Sequence, residues 1–316
     1  MKKEVGISVL LFVLCAITAI KNPAFLSATN LTNLANVIGL FGIFSIGLGL
    51  VIITGGIDLS VGSMFALCGV LLAMALREWM WPWWLAILFV MVVPLVLGFV
   101  HGTLITRMRI QPFIVTLCGL LLYRGLARFI ANDDTKGFGD AGGFELLREA
   151  ARGRLLGIPM PFVILIVVAV IMWFVLHRSV YGRYLLAVGR NEEATRFSGI
   201  DTRAVVTGSY VLAGALTAIS GILFAFYTNS VSPSSHGNFY ELYGIAAAVL
   251  GGCSLRGGEG SIVGIVIGTA LLQVLQNLVN LLGIPSSLNF AVMGAVVLVG
   301  VLADQWFQSR QTTRVA

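Results

Sequence analysis

Few residues in this chain have the types and spacing that catalysis requires. The histidines His101, His177 and His236 lack metal-ligand spacing, and neither an HExxH nor a GxSxG motif occurs. None of the four lysines fits a GxxxxGK[ST] phosphate loop. We therefore expect a protein that is not an enzyme and that holds neither metal nor cofactor. If ATP drives it, a separate subunit must bind the nucleotide.

Asp58 is the most isolated charge in the sequence. It lies between uncharged runs of 36 and 18 residues, within the stretch GGIDLS at 55–60. An acid at the centre of a bilayer costs about 2.5–3.5 kcal/mol on insertion scales and usually serves a function there. Near a membrane surface, Asp58 would instead cap a helix that begins at Ser60. A gate and a structural cap are therefore the two predicted roles.

Four amide side chains near the C-terminal end share the spacing i, i+3, i+4 and i+7: Gln273, Gln276, Asn277 and Asn280. This spacing places them on one helix face, which must look into protein or water, because lipid cannot satisfy amides. They either bond to other helices, at about 0.6 kcal/mol per contact, or line a path for a hydroxyl-rich solute. We assign the bonding role to Gln273 and the path to Asn277 and Asn280.

Residues 177–203 form a basic island that contains five arginines, with the sequence HRSVYGRYLLAVGRNEEATRFSGIDTR. Asn191 can cap a short helix, Glu192 and Glu193 suit its positive first turn, and Gly199 can end it. Two helical turns are not stable alone in water. We interpret this helix as a docking element for a soluble partner, with a solvated connector as the alternative.

The elements that position these residues are predicted to be membrane-spanning helices. Of the 316 residues, 58% are hydrophobic and 11% are charged, which indicates a polytopic all-α membrane protein. A span needs about 20 mainly apolar residues. The charge-free runs predict ten helices, near 5–20, 34–54, 60–76, one ending at 105, 112–130, 159–177, 203–227, 241–252, 261–282 and 286–303.

The basic residues predict the orientation of these helices. Of the 20 lysines and arginines, twelve fall on the side that holds Lys2, Lys3 and the island, and six fall on the opposite side. The positive-inside rule then places both termini in the cytoplasm, with long outer loops at about 131–158 and 228–240. The four cysteines form no CxxC motif, so neither a disulfide framework nor a metal site is predicted.

Four stretches carry a resemblance to a known family: GGIDLSVGS at 55–63, GRNEEATRFSGI at 189–200, AAVLGGCSLRGGEG at 247–260 and NLVNLLGI at 277–284. Together they resemble the permease subunits of bacterial ABC importers for ribose and related sugars, the branched binding-protein-dependent transport permeases. Within the island, Glu193, Ala194, Thr195 and Gly199 look like the EAA-xxx-G motif by which such permeases seat a helix in an ATPase. Thr195 replaces the second alanine of that motif.

The resemblance implies a single transmembrane permease domain over 1–316, of the type II importer kind, in the bacterial inner membrane. It implies a second permease copy, an ATPase subunit that binds ATP, and a periplasmic sugar-binding protein docked on the outer loops. The coupling loop would span about 178–203. The residues that the resemblance implies for coupling are Asn191, Glu192, Glu193, Ala194, Thr195 and Gly199. The residues that we assign to the translocation path or gate are Asp58, Ser60, Asn277 and Asn280.

The solute and the energy source have alternatives. Ribose is the first choice, and other pentoses, hexoses, rhamnose-like sugars or autoinducer-type furanoses are alternatives. A secondary transporter driven by an ion gradient would need ionisable residues at mid-membrane, and Asp58 comes nearest to that position. A channel or structural membrane protein would not need the island helix.

Overall fold

A computed structural model describes residues 2–139 and 142–285, together with residues 288, 291, 292, 294, 295 and 298. The described part is predominantly α-helical, which confirms the predicted all-α class. Its α-helices, in chain order, are α1 (Lys2–Lys21), α2 (Ala28–Ile53), α3 (Val61–Arg77), α4 (Trp83–Thr106), α5 (Pro112–Ala131), α6 (Glu145–Arg152), α7 (Met160–His177), α8 (Val180–Arg190), α9 (Glu192–Phe197), α10 (Thr202–Thr228), α11 (Tyr240–Leu250) and α12 (Ile262–Leu281).

The described residues also contain four two-residue strands, which form two small antiparallel ladders. Strand β1 (Lys136–Gly137) pairs with β4 (Ser230–Val231), and β2 (Arg154–Leu155) pairs with β3 (Ile158–Pro159). The first ladder joins the two predicted outer loops to each other, because β1 belongs to 131–158 and β4 to 228–240.

Seven of the described helices are long and apolar enough to cross a membrane: α1, α2, α4, α5, α7, α10 and α12. Helices α3 and α11 are also apolar but shorter. A polytopic membrane protein is thereby confirmed. The predicted tenth helix, 286–303, lies largely outside the described residues, so the count of ten stays a prediction.

The helices differ from the predictions in one early start and one additional helix. The second helix begins at Ala28 and not near 34, because the Ser27 hydroxyl accepts the N–H of Asn30 at 3.2 Å and starts the helix early. In the basic island, the predicted helix at Asn191–Gly199 is confirmed as α9. The 11-residue helix α8 in the same island was not predicted.

Helices α2 and α3 form the centre of the molecule. Every residue of α2 from Ile38 to Ile53 is buried, and so is every residue of α3 from Val61 to Leu76. A helix that is apolar on all sides is stable only inside protein or lipid. Helices α4, α5 and α7 pack against this pair, and α1 packs against α12. All four leave large apolar side chains exposed, as lipid-facing helices do.

The bundle has two ends, which we name by their contents. At the Arg77 end lie the C-terminus of α3 and the β1–β4 ladder, and the Arg77 guanidinium approaches Gly139. At the α9 end lie the C-terminus of α2, helices α8 and α9, and the turn 251–260 between α11 and α12.

Glycines allow α4 and α10 to pack backbone against backbone. A Cβ on Gly98 would overlap the Tyr210 carbonyl, one on Gly102 would overlap Thr207, and one on Gly214 would overlap the Pro94 carbonyl. Small residues permit this close approach in membrane helices, where dispersion contacts replace the hydrophobic effect.

We predict that Gly214→Ala destabilises the protein by about 1–3 kcal/mol, because the added methyl group overfills the α4–α10 contact. The measurement is the thermal unfolding midpoint of the purified protein in detergent. Gly125→Ala is the matched control: it gains the same helix propensity but places its methyl group in open space on α5. Equal midpoints for the two variants would contradict the prediction.

Candidate translocation and coupling sites

Asp58 lies buried beside the start of α3, with 2% of its surface exposed. Its Oδ1 accepts the backbone N–H of Ser60 at 2.9 Å and the Ser60 hydroxyl at 2.6 Å. The helix itself begins one residue later, at Val61. This bonding differs from the predicted cap, because the carboxylate binds the N-cap residue and not the free N–H groups of the first helical turn.

Side chains from two neighbouring helices hold the turn that contains Asp58. The carbonyl of Ile57 accepts hydrogen bonds from the Tyr210 hydroxyl at 3.2 Å and from the Thr116 hydroxyl at 3.3 Å. Nearby, the Tyr123 hydroxyl and His101 Nε2 lie 2.6 Å apart. Asp58 therefore belongs to a polar cluster in the interior of an otherwise apolar bundle.

Arg124 of α5 links this cluster to the segment 232–239 that precedes α11. Its guanidinium donates to the carbonyls of Pro233 at 3.0 Å, His236 at 2.7 Å and Gly62 at 3.2 Å. One cation thus binds the first turn of α3 and the non-helical segment together. Such charge-assisted bonds are roughly twice as strong as neutral ones.

Glu241 completes the cluster from the first turn of α11 and is 7% exposed. A Cβ on Gly62 would overlap both Glu241 Oε2 and the Gly237 carbonyl, so α3 and the start of α11 are in direct contact. Both carboxylates, Asp58 and Glu241, lie near the positive N-terminal end of a helix, where the helix dipole favours negative charge.

Neither Arg124 nor Glu241 is among the predicted site residues, although the sequence carries a signal for both. Glu241 separates the charge-free runs 204–240 and 242–255, in the same way that Asp58 separates two such runs. Arg124 ends the charge-free run 110–123. In the described residues, the histidines of the cluster do not join other metal-ligand side chains into a metal-binding group.

The amide residues of α12 have different surroundings. Gln273 is buried, whereas Asn280 is exposed. Asn277 and Asn30 exchange hydrogen bonds between their amides, at 2.7 and 3.2 Å. This reciprocal pair ties the start of α2 to α12. A role for Asn277 and Asn280 in the path stays a prediction.

Helix α9 presents a small exposed surface at its end of the bundle. Asn191 Oδ1 accepts the N–H of Ala194 at 2.9 Å, and Gly199 has a positive φ of 82°, which fits the expected cap and terminator. Thr195 is buried, and its hydroxyl donates to the Asn191 carbonyl. By contrast, Phe197 is 80% exposed. Phe197 is thus the large apolar side chain that α9 exposes.

Three backbone segments, 53–56, 189–190 and 257–258, are in contact next to the start of α9. The N–H of Gly258 donates to the carbonyl of Ile53 at 2.8 Å. A Cβ on Gly189 would overlap both partners of that bond, and one on Gly257 would overlap Gly189 and Gly55. We call this contact of 53–56, 189–190 and 257–258 the glycine joint. It connects the end of α8, immediately before α9, to the turn before Asp58.

Comparison with known proteins identifies the family. Residues 30–301 match the family model described as "Branched-chain amino acid transport system / permease component". The chain belongs to this permease family. The match covers both the buried polar cluster and the glycine joint. No solved structure matches this permease.

Curated relatives of this permease include several sugar transport proteins. It is 40% identical over 296 residues to the ribose import permease protein RbsC of Bacillus subtilis (strain 168), which covers 93% of this chain and 90% of the relative. It is 38% identical to RbsC of Escherichia coli (strain K12), over 93% of this chain and 91% of the relative. The fructose import permease protein FruF of Bifidobacterium longum is 35% identical, over 80% and 71%.

We predict that Arg124→Met lowers the thermal stability of this permease, because three carbonyls inside the bundle lose their donor. One hydrogen bond to a charged group is worth about 1.5–3 kcal/mol. The unfolding midpoint in detergent should therefore fall clearly below that of the unmodified protein.

Arg128→Met on the same helix is the matched control. Arg128 bonds Asp133 at 2.7 Å, and the two side chains are 52% and 54% exposed. This bond holds the pKa of Asp133 below its usual value, but water and salt screen so exposed a pair. If Arg128→Met lowered the midpoint as much as Arg124→Met, the bonds of Arg124 to the backbone would not stabilise the bundle.

Proposed function

We propose that this permease is the membrane subunit of an ABC importer that carries a monosaccharide, with ribose as the first candidate, across the bacterial inner membrane. The observation that carries the proposal is the 40% identity to a ribose import permease protein, which extends over 93% of this chain. The two ribose import permeases compared above each align over 93% of the chain. Fructose and autoinducer 2 permeases are also similar, so another small solute is the alternative.

The energy would come from an ATPase subunit that docks on α9. Helix α9 exposes Glu193, Ala194 and Phe197 to solvent, whereas Thr195 is buried on the side of the helix that faces the bundle. Glu192 accepts a hydrogen bond from Thr202 at 3.1 Å, which ties α9 to the start of α10. A displacement of α9 would therefore be transmitted into the bundle through α10 and through the glycine joint.

The orientation and assembly form part of the same proposal. Residues 1–316 would form one transmembrane domain with both termini and α9 in the cytoplasm. A periplasmic sugar-binding protein would dock at the Arg77 end, on parts of 131–158 and 228–240. A second permease copy would complete the path. Asp58 and Ser60 would belong to the gate, and Asn277 and Asn280 to the path.

Asp58 is the observation that favours a second candidate, a secondary transporter driven by an ion gradient. A buried carboxylate in a membrane protein can serve as an ion or proton site. In this candidate α9 would have no partner and the chain would accumulate solute alone.

Uptake into proteoliposomes tests the proposal. We expect radiolabelled ribose to accumulate only when the permease, its ATPase, its binding protein and ATP are all present. A proton or sodium gradient imposed on vesicles that hold the permease alone should produce no uptake. Gradient-driven accumulation without the ATPase would refute the proposal of an ABC importer. ATP-driven uptake of fructose but not of ribose would show that fructose, and not ribose, is the transported sugar.

We also predict that Phe197→Ser reduces binding of the purified ATPase to the permease by at least about tenfold, because a buried aromatic anchor at an interface is worth 2 kcal/mol or more. Binding would be measured in detergent by surface plasmon resonance. Leu156→Ser is the control, since Leu156 is 95% exposed in a turn at the Arg77 end and should leave ATPase binding unchanged. Unaltered affinity in Phe197→Ser would exclude α9 as the docking element.

A further inference from the structure

Helix α11 is too short to cross a membrane by itself. Its 11 residues extend about 16 Å, whereas the hydrocarbon core of a bilayer is about 30 Å thick. The rest of the distance across the bilayer is covered by residues 232–239, which form turns and not a helix. The predicted outer loop 228–240 is therefore only partly a surface loop.

Contacts with α3 show how deep these residues lie. Val231 packs on Gly69, and Gly237 packs on Gly62 and Phe65. Since a helix rises about 1.5 Å per residue, Gly69 and Gly62 lie roughly 12 and 22 Å inward from Arg77 along α3. Segment 232–239 thus descends beside α3 from the Arg77 end into the middle of the bundle.

Non-helical backbone at this depth occurs only where it is buried in protein or lines a water-filled cavity. One side of segment 232–239 meets the first condition: His236 and Gly237 are buried, and Arg124 satisfies two of the segment's carbonyls. The opposite side does not. Its exposed residues are Ser234, Ser235, Asn238 and Phe239, and Leu242 continues the same face one turn into α11.

The exposed side has the chemistry of a sugar contact. Serine hydroxyls and the Asn238 amide can both donate to and accept from sugar hydroxyls. Phe239 is 51% exposed and offers an apolar ring to the carbon skeleton of a sugar. Its φ of +64° is a left-handed conformation that is strained for a bulky residue, and such strain is concentrated at functional positions.

We propose that the exposed side of segment 232–239 lines the translocation path, with Ser234, Ser235 and Asn238 as its polar wall. Phe239 forms an aromatic constriction where the segment meets α11. The identity of the solute as a monosaccharide rests on the proposed function above. The exposure of this side to water does not, because it follows from the position of non-helical backbone inside the membrane.

Cysteine accessibility tests this proposal. Ser235→Cys, Asn238→Cys and Phe239→Cys would be introduced singly into a variant that carries Cys15→Ser and Cys118→Ser, which removes the two native cysteines that are not buried. The probe is a negatively charged, membrane-impermeant methanethiosulfonate, applied to the permease in proteoliposomes. Ser235→Cys replaces only the side-chain oxygen by sulfur, so this variant is expected to fold. The test can therefore be read at this position even if the other variants fail to fold.

Leu121→Cys is the matched control, because Leu121 is 65% exposed on α5 and faces lipid if the proposal is correct. We expect the three path cysteines to react at least about tenfold faster than the control. Equal, slow reaction at all four positions would overturn the proposal. So would oxidative cross-linking of two permease copies through Asn238→Cys without reagent labelling, which would place this side at a copy interface.

Transport separates this inference from the proposed function. In the complete importer, Phe239→Ala should change the KM for the sugar presented by its binding protein by at least about threefold, whereas Leu121→Ala on the outer side of α5 should leave that KM unchanged. An unchanged KM in Phe239→Ala would show that Phe239 does not form a constriction of the path. If no ATP-driven uptake exists, the labelling of the permease alone still decides whether segment 232–239 faces water.

Discussion

Backbone that leaves the helical conformation inside a membrane must find its hydrogen bonds in the protein or in a water-filled cavity, and this requirement organises the centre of this permease. The carbonyls of Pro233 and His236 meet it through Arg124, which also binds the carbonyl of Gly62. A guanidinium suits this task because its planar fork of donors reaches several acceptors at once.

The same requirement explains why charged residues accumulate at one place in an apolar bundle. Because the Arg124 guanidinium binds backbone carbonyls inside the bundle, its positive charge has to be balanced there. Glu241 lies within its electrostatic reach and Asp58 lies beside the same turn of α3. Two carboxylates, one cation and the dipoles of α3 and α11 together form a polar centre that a bundle of unbroken helices would not need.

Glycines have a different role at the α9 end. At the glycine joint the chain brings three backbones into direct contact, and the Arg190 side chain packs against Gly258 at the same place. Packed interiors are stiff, so a shift of α8 and α9 would reach the turn 54–60 with little loss. In the proposed importer, the glycine joint would therefore link the docking helix α9 on one side to the turn that contains Asp58 on the other.

Much of the local structure could be predicted from the sequence, because the forces behind it act over a few residues. Long charge-free runs predicted the membrane helices, and Asn191 and Gly199 predicted the limits of α9. The missed helix α8 has a mixed composition, and its stability comes from packing against α7 and α10. The early start of α2 depends on a single serine hydroxyl, a signal too weak to separate from the neighbouring threonines and asparagines.

The sequence by itself determined that this chain is a polytopic membrane protein with a capped, solvent-exposed helix in a basic loop, since hydropathy, charge and capping are local properties. Only the tertiary structure decided which polar residues meet. Asn30 pairs with Asn277 across 247 positions, and Arg124 reaches His236 across 112. Such pairings arise from the way the helices pack, and helix packing depends on the shapes of many side chains that are distant in the sequence.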